Sequence, residues 1–270
     1  MLFQPEERVI YKHNPLVSVI CQLRFPLDLR IDVTMPAEFQ QQIRANFPLA
    51  HEDSDGQGLQ LAEDVSQHFP QELLDVLSTR INRRFLFSSR DKMWTITLTN
   101  SFVALETNDY VRWEDFRRNL QLMLSAMCET YQIDVISRVG LRYQNVVDRR
   151  ALGIQELQWS ALLSDFVLGP LTLAKSADSV QEHNGTFLIQ LEDPTDFVRV
   201  RYGLVTEKSG DPENIMFVLD HDFFTGNDVE TDVSNVISRV NIYNSSNRSL
   251  FRRCITAKLH ETMVPEAPHN

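Results

Sequence analysis

Between Asn14-Pro15 and Pro26 the chain alternates. Val17, Val19, Cys21, Leu23 and Phe25 fall on one side, and Ser18, Gln22 and Arg24 on the other, with Ile20 the exception. A period of two between prolines predicts a half-buried strand. The period then changes. Thr34 and Pro36 open a helix whose Phe39, Ile43 and Phe47 recur every four residues until Pro48. Positions 50–68, beginning at Ala50-His51-Glu52-Asp53, predict an exposed loop. Leu73, Leu74 and Leu77 predict a short helix after Pro70.

Three strands follow at 83–88, 93–99 and 102–107, joined by short polar turns, which predicts an antiparallel meander. In the second of them Trp94, Ile96 and Leu98 share one face, and Thr95, Thr97 and Thr99 a solvated one. After Asn108 and Asp109, the apolar residues Phe116, Leu120, Met123, Leu124, Met127 and Tyr131 are spaced 4, 3, 1, 3 and 4, the pattern of a long amphipathic helix. A strand over 135–147 turns Val135, Val139, Leu141 and Tyr143 inward and Arg138, Arg142 and Gln144 outward. One strand apart, the order is that of a βαββαβ ferredoxin-like unit.

The rest of the chain is similar in kind. A helix is predicted over 155–166, strands near 171–180, 186–192, 197–205 and 215–224, and a polar loop at Lys208-Ser209-Gly210-Asp211-Pro212. A long C-terminal helix spans 232–263. Asn244-Ser245-Ser246-Asn247 is poor helix material and predicts a break there. Pro265 and Pro268 are expected to end the ordered chain. The fold class is therefore α+β, with antiparallel or mixed sheets, long amphipathic helices and two loosely repeated ferredoxin-like-style halves. The halves cover residues 1–150 and 151–270 and meet near 148–155; one continuous domain is the alternative.

Composition narrows the function. With 26 basic and 37 acidic residues the net charge is −11, which disfavours nucleic acid as a partner. No run of about 18 apolar residues occurs, so no membrane span is expected. Three distant cysteines, Cys21, Cys128 and Cys254, form no CxxC or CxxH spacing, so buried thiols in a reducing cytoplasm are expected. Nucleotide-binding glycine loops, a GxSxG elbow and an HExxH pair are absent. No catalytic residue and no cofactor is assigned.

Two constellations carry chemistry. In Leu219-Asp220-His221-Asp222-Phe223 a strand would project Asp220 and Asp222 from one face, about 6.5–7 Å apart. Such a pair suits a divalent metal if further ligands converge. His221 would point into the core. On the outer sheet face the alternation gathers Arg24, Arg138, Arg142, Arg199 and Arg201, whose guanidinium forks suit phosphate or carboxylate. The plain alternative is a ladder of exposed ion pairs with Asp220, Asp222, Glu106 and Glu192, each contributing about 0–1 kcal/mol.

Asn14-Pro15-Leu16 before a strand ending Leu23-Arg24-Phe25, the Pro36/Phe39/Phe47-Pro48 helix, and Arg138-Val139-Gly140-Leu141-Arg142-Tyr143 resemble a sporadically distributed bacterial family of uncharacterised proteins. Leu219 to Phe223 and the terminal Phe251, Ile255-Thr256 and Leu259 resemble it too. The resemblance spans nearly the whole chain and implies no activity; a patchy distribution implies mobile or defence-associated gene clusters. CRISPR RNA-processing endonucleases share the duplicated architecture but have a C-terminal glycine-rich loop and a basic groove, which this chain lacks. The leading expectation is a non-catalytic module that binds a protein partner. The alternatives are a metal-dependent enzyme centred on Asp220 and Asp222, and a small-anion or nucleotide sensor using the arginine face.

Overall fold

The computed structural model describes residues 6–53, 83–172, 180, 182–206 and 214–268. In chain order the strands are β1 (Ile10–Tyr11), β2 (Leu16–Arg24), β3 (Leu49–Asp53), β4 (Arg84–Ser88), β5 (Trp94–Leu98), β6 (Phe102–Thr107), β7 (Val135–Ile136), β8 (Arg138–Val147), β9 (Asn184–Gln190), β10 (Asp196–Thr206), β11 (Ile215–Thr225), β12 (Val229–Glu230) and β13 (Pro265–Glu266). The helices are α1 (Arg30–Val33), α2 (Ala37–Ile43), α3 (Trp113–Tyr131), α4 (Trp159–Leu162), α5 (Asp165–Leu168), α6 (Val233–Cys254) and α7 (Ala257–Thr262), with a 3-10 turn at Gly169–Thr172. Positions 54–68, the helix expected after Pro70, positions 173–179 and the loop at 208–212 lie outside the described residues.

Among the described residues nine strands make one sheet, in the order β3-β4-β5-β6-β2-β8-β11-β10-β9. Its neighbours are all antiparallel. Strand β8 pairs with β2 on one side and β11 on the other, so the sheet runs unbroken across residues 148–155. Period two then decides everything about the faces. Val19, Cys21, Leu23, Val139, Leu141, Tyr143, Phe217, Leu219, His221, Phe223, Val198 and Val200 point inward, each at most 1% exposed. The helices cover this side. Phe39 of α2 meets Phe87 of β4, Phe116 of α3 meets Trp94 of β5, and Tyr243 of α6 stacks on Phe223 of β11.

Several expectations are corrected. Val17 is 46% exposed, because the register slips between Leu16 and Ser18 and a bulge there takes Val17 out of the alternation; Ser18, opposite Gln144 on the outer face, is buried all the same. Residues 50–53 belong to β3, paired with β4, instead of a loop. Thr97 and Thr99 are buried rather than solvated, and Val135 is 36% exposed, on the separate β7–β12 pair. The helix expected over 155–166 is two single turns. Between them Leu163 bridges Ile255, and Ser164 donates its backbone N–H to Cys254 and its hydroxyl to Arg253, so the chain is pulled extended. Pro265 does not end the ordered chain, since β13 pairs with β1.

The most informative correction is α6, which is continuous from Val233 to Cys254. Asn241, Asn244 and Asn247 lie three residues apart, and that spacing rotates slowly around a 3.6-residue helix. Their Oδ1 atoms therefore meet three successive partners. Trp113 Nε1 of α3 donates to Asn241 at 2.7 Å, Tyr143 Oη of β8 to Asn244 at 2.8 Å, and His221 Nδ1 of β11 contacts Asn247 at 2.9 Å. The propensity penalty of Asn244-Ser245-Ser246-Asn247 is up to about 0.7 kcal/mol per residue. Against it stand bonds worth about 1 kcal/mol each, whose loss would strand buried groups at about 1–3 kcal/mol apiece. Beyond the quartet, Leu250, Phe251 and Cys254 are buried as well. Tertiary contact wins over propensity.

An oxygen of Asn247 can only accept, so His221 carries its proton on Nδ1, and its Nε2 faces the Cys254 thiol at 3.8 Å. Burial holds the His221 pKa down, from 6.5 to about 4, against the bond to Asn247 and the nearby Asp220 charge. Burial likewise pushes the Cys254 thiol up to about 12. The two are an inert packed pair. As pH falls through 6.5 the unfolded chain takes up a proton that folded His221 refuses until about 4. Stability is therefore complete above 6.5 and falls by about 3 kcal/mol in total over that window. His260, whose pKa burial also lowers, adds in the same direction, so the measurement is a difference. Urea unfolding from pH 7 to 4.5 is expected to show a markedly flatter pH slope for His221→Gln than for the wild type; equal slopes would contradict the neutral assignment.

Candidate arginine face

The sheet's other face carries the residues singled out by the alternation. Strands β2, β8, β11 and β10 are adjacent, and their outward positions bring Arg24, Arg138, Arg142, Arg199 and Arg201 around Asp220 and Asp222. Asp220 lies opposite Gln144 and Arg201, and Asp222 opposite Arg142 and Arg199. Long side chains then reach diagonally. Arg142 of β8 reaches Asp220 through Nε and Nη2, both at 2.7 Å, and Arg201 of β10 adds a contact at 3.1 Å. Arg138 reaches Asp222 at 2.8 Å.

Asp220 is thus the hub. Its side chain is 5% exposed, while Arg142 and Arg201 remain 37% and 39% exposed. A carboxylate that deep would be costly alone; forked partners make it tolerable. The hydrogen bond to Asp220, then its charge, raise the Arg142 pKa against the opposing effect of burial. The expected ladder of weak surface pairs is accordingly corrected to a semi-buried network. Glu106 accepts from the Ser18 hydroxyl at 3.1 Å, and Glu192 falls in the turn after β9, off the sheet.

Two residues of the cluster were missed. Phe224 lies outward on β11, with the Arg138 guanidinium 5.0 Å and that of Arg199 5.7 Å from its ring centroid. Cation–π attraction of this kind positions both forks. Gly140 sits between Arg138 and Arg142 on the same face, where a Cβ would lie 2.1 Å from Arg138 Nη1. The Arg138-x-Gly140-x-Arg142 spacing was legible, but only the structure shows that the guanidinium crosses the gap left by the glycine.

The face stays basic. Across β2, β8, β11 and β10 it holds five arginines and the carboxylates of Asp220 and Asp222. Arg24 donates to Gln22 at 3.1 Å, and neither it nor Arg199 forms an ion pair among the described residues. As for a metal, the Asp220 and Asp222 oxygens already face three guanidiniums. No group of three or more His, Cys, Asp or Glu among the described residues is placed to hold an ion. No described helix is long and apolar enough to cross a membrane. No family model and no curated protein matches the chain.

Because two short charge-assisted bonds join it to Asp220, Arg142→Gln is expected to cost about 1.5–3 kcal/mol of unfolding free energy, and Arg201→Gln about 1 kcal/mol. Chemical denaturation checks this; losses under 0.5 kcal/mol for both would return the network to the surface-pair class. Gly140→Ala should displace the Arg138 guanidinium. In a double-mutant cycle its cost, about 1 kcal/mol, is expected to vanish in an Arg138→Gln background, and strict additivity would contradict the crossing.

Proposed function

We propose that the protein is a non-catalytic binding module whose arginine face docks an acidic segment of a partner protein. The observation that carries this reading is the surplus of arginine on one sheet face of a chain with net charge −11. Asp220, Asp222 and Phe224 hold the arginines in place, so little ordering entropy remains to be lost on binding. Arg24 and Arg199 keep unneutralised forks at the two sides of the cluster. Beside Arg199 in register lies Leu188, 51% exposed, and a mixture of arginine and apolar surface is the composition of protein interfaces.

The small-anion or nucleotide sensor uses the same two forks and is separated from the first reading by experiment. A metal-dependent enzyme at Asp220 and Asp222 would have to displace guanidiniums at 2.7–2.8 Å and is the weakest of the three. Within the sheet we read β8-β2-β6-β5, with α2 and α3 as crossovers, as a ferredoxin-like order to which the second half adds a meander and a long helix. Bacterial origin and a role in a mobile or defence-associated cluster rest on the family resemblance alone.

The test is fluorescence anisotropy with a labelled hexaglutamate peptide at low salt, with inorganic phosphate and ATP as competitors. Binding that weakens with salt, and by about tenfold in the Arg24→Gln/Arg199→Gln double variant, is expected. Unchanged stability should accompany it, because neither arginine leaves a buried carboxylate behind. Equal affinity in the double variant would overturn the reading. Tight ATP or phosphate binding without peptide binding would replace it with the sensor.

A further inference from the structure

A cavity of about 120 Å³ opens on the opposite, helix-covered side of the sheet, between the N-terminal segment, the start of α3 and the middle of α6. Among the described residues four arginines, Arg8, Arg112, Arg248 and Arg252, line it, and no acidic side chain does. In an acidic chain that is a strong local bias. Two of the four are neutralised from outside the cavity: Glu114 takes both ends of the Arg8 fork, and Asp115 pairs with Arg112 at 3.2 Å. The other two are under-used. Arg248 donates to the backbone oxygen of Glu6 at 3.3 Å and forms no ion pair among the described residues. The Nη1 of Arg252 is buried with no hydrogen-bond partner among them, and the same guanidinium stands 3.9 Å from Glu6.

The asparagines of α6 point the same way. Asn244 and Asn247 both line the cavity, and both have already committed their Oδ1 atoms, to Tyr143 and His221. What each has left is an NH2 group, with no partner among the described residues. The cavity therefore offers donors from two carboxamides and two guanidiniums, and its described lining holds no charged acceptor. Trp113 and Phe251 supply apolar wall.

We propose that this cavity is a binding site for a small organic carboxylate, held by Arg248, Arg252 and the amides of Asn244 and Asn247, with its apolar body against Trp113 and Phe251. Donor-only chemistry selects an anion, and the paired forks suit a planar carboxylate. A ligand ammonium would find no carboxylate among the described lining residues, so free amino acids are disfavoured. Size sets the other bound: at about 120 Å³ the cavity is well below the roughly 300–1,000 Å³ that drug-sized ligands and cofactors occupy. The site is independent of the arginine face, since Tyr143 and His221 point to one side of the sheet while Arg142, Asp220 and Asp222 point to the other.

The experiment is calorimetric titration of the full chain, with a parallel thermal melt, using benzoate, its neutral isostere benzamide, and sulfate. Benzoate is expected to bind and raise the melting temperature with concentration, benzamide to bind at least about tenfold more weakly, and Arg248→Gln to weaken benzoate by about tenfold or more. Should the glutamine variant fail to fold, Arg248→Lys decides: it keeps the charge but loses the fork, and a several-fold loss is expected. Equal binding of benzoate and benzamide, or wild-type benzoate affinity in the folded Arg248 variant, would overturn the proposal. Sulfate binding without benzoate binding would overturn the carboxylate assignment.

Discussion

Helix α6 is tied to the sheet by polar bonds made inside an otherwise apolar interface, and the rest of the architecture depends on that tie. Each of Asn241, Asn244 and Asn247 engages a different element, α3, β8 and β11. Apolar contact alone would tolerate a helix that slid or rolled, since it is not directional. Hydrogen bonds inside a low-dielectric layer are directional and expensive to leave unmade. They fix the rotation and height of α6 together. The consequences are local and specific: a neutral His221 against Cys254, and a cavity into which Asn244 and Asn247 bring their remaining amides.

The sheet converts a one-residue offset into two separate chemistries. In Asp220-His221-Asp222 the middle residue serves the core and its neighbours the outer face; Arg142-Tyr143 repeats the division on β8. Strand β11 is thus shared by the structural tie on one side and the arginine network on the other. Asp220 is what makes the outer arrangement possible. Buried, and joined to two guanidiniums, it turns repulsion between Arg142 and Arg201 into a fixed geometry.

Much of this was legible in the order of residues, for a physical reason. Where a strand has one dry and one wet face, period two is imposed on the sequence, and β2, β8, β10 and β11 show it; so the five arginines and the inward His221 could be placed before any coordinates. The same logic failed where a local device breaks the period. A bulge at Val17 leaves no residue-level signature distinct from ordinary alternation. The strands gave no sign of how Arg138 would use Gly140, because that depends on a diagonal reach between strands. Asn244-Ser245-Ser246-Asn247 misled in the opposite sense. Weak helix formers were read as a break, whereas spacing of three in Asn241, Asn244 and Asn247 was the available signal for a helix with polar partners beneath it.

Native-state hydrogen exchange along α6 tests this account most directly. If the asparagine contacts tie the helix down, amide protection will run without interruption through residues 244–247 and match that of the central strands β8 and β11, all opening with the global free energy. Local exchange at 244–247, with protected segments on either side, would show two helices joined at a weak point and would contradict the tie from which the neutral histidine and the donor-lined cavity follow.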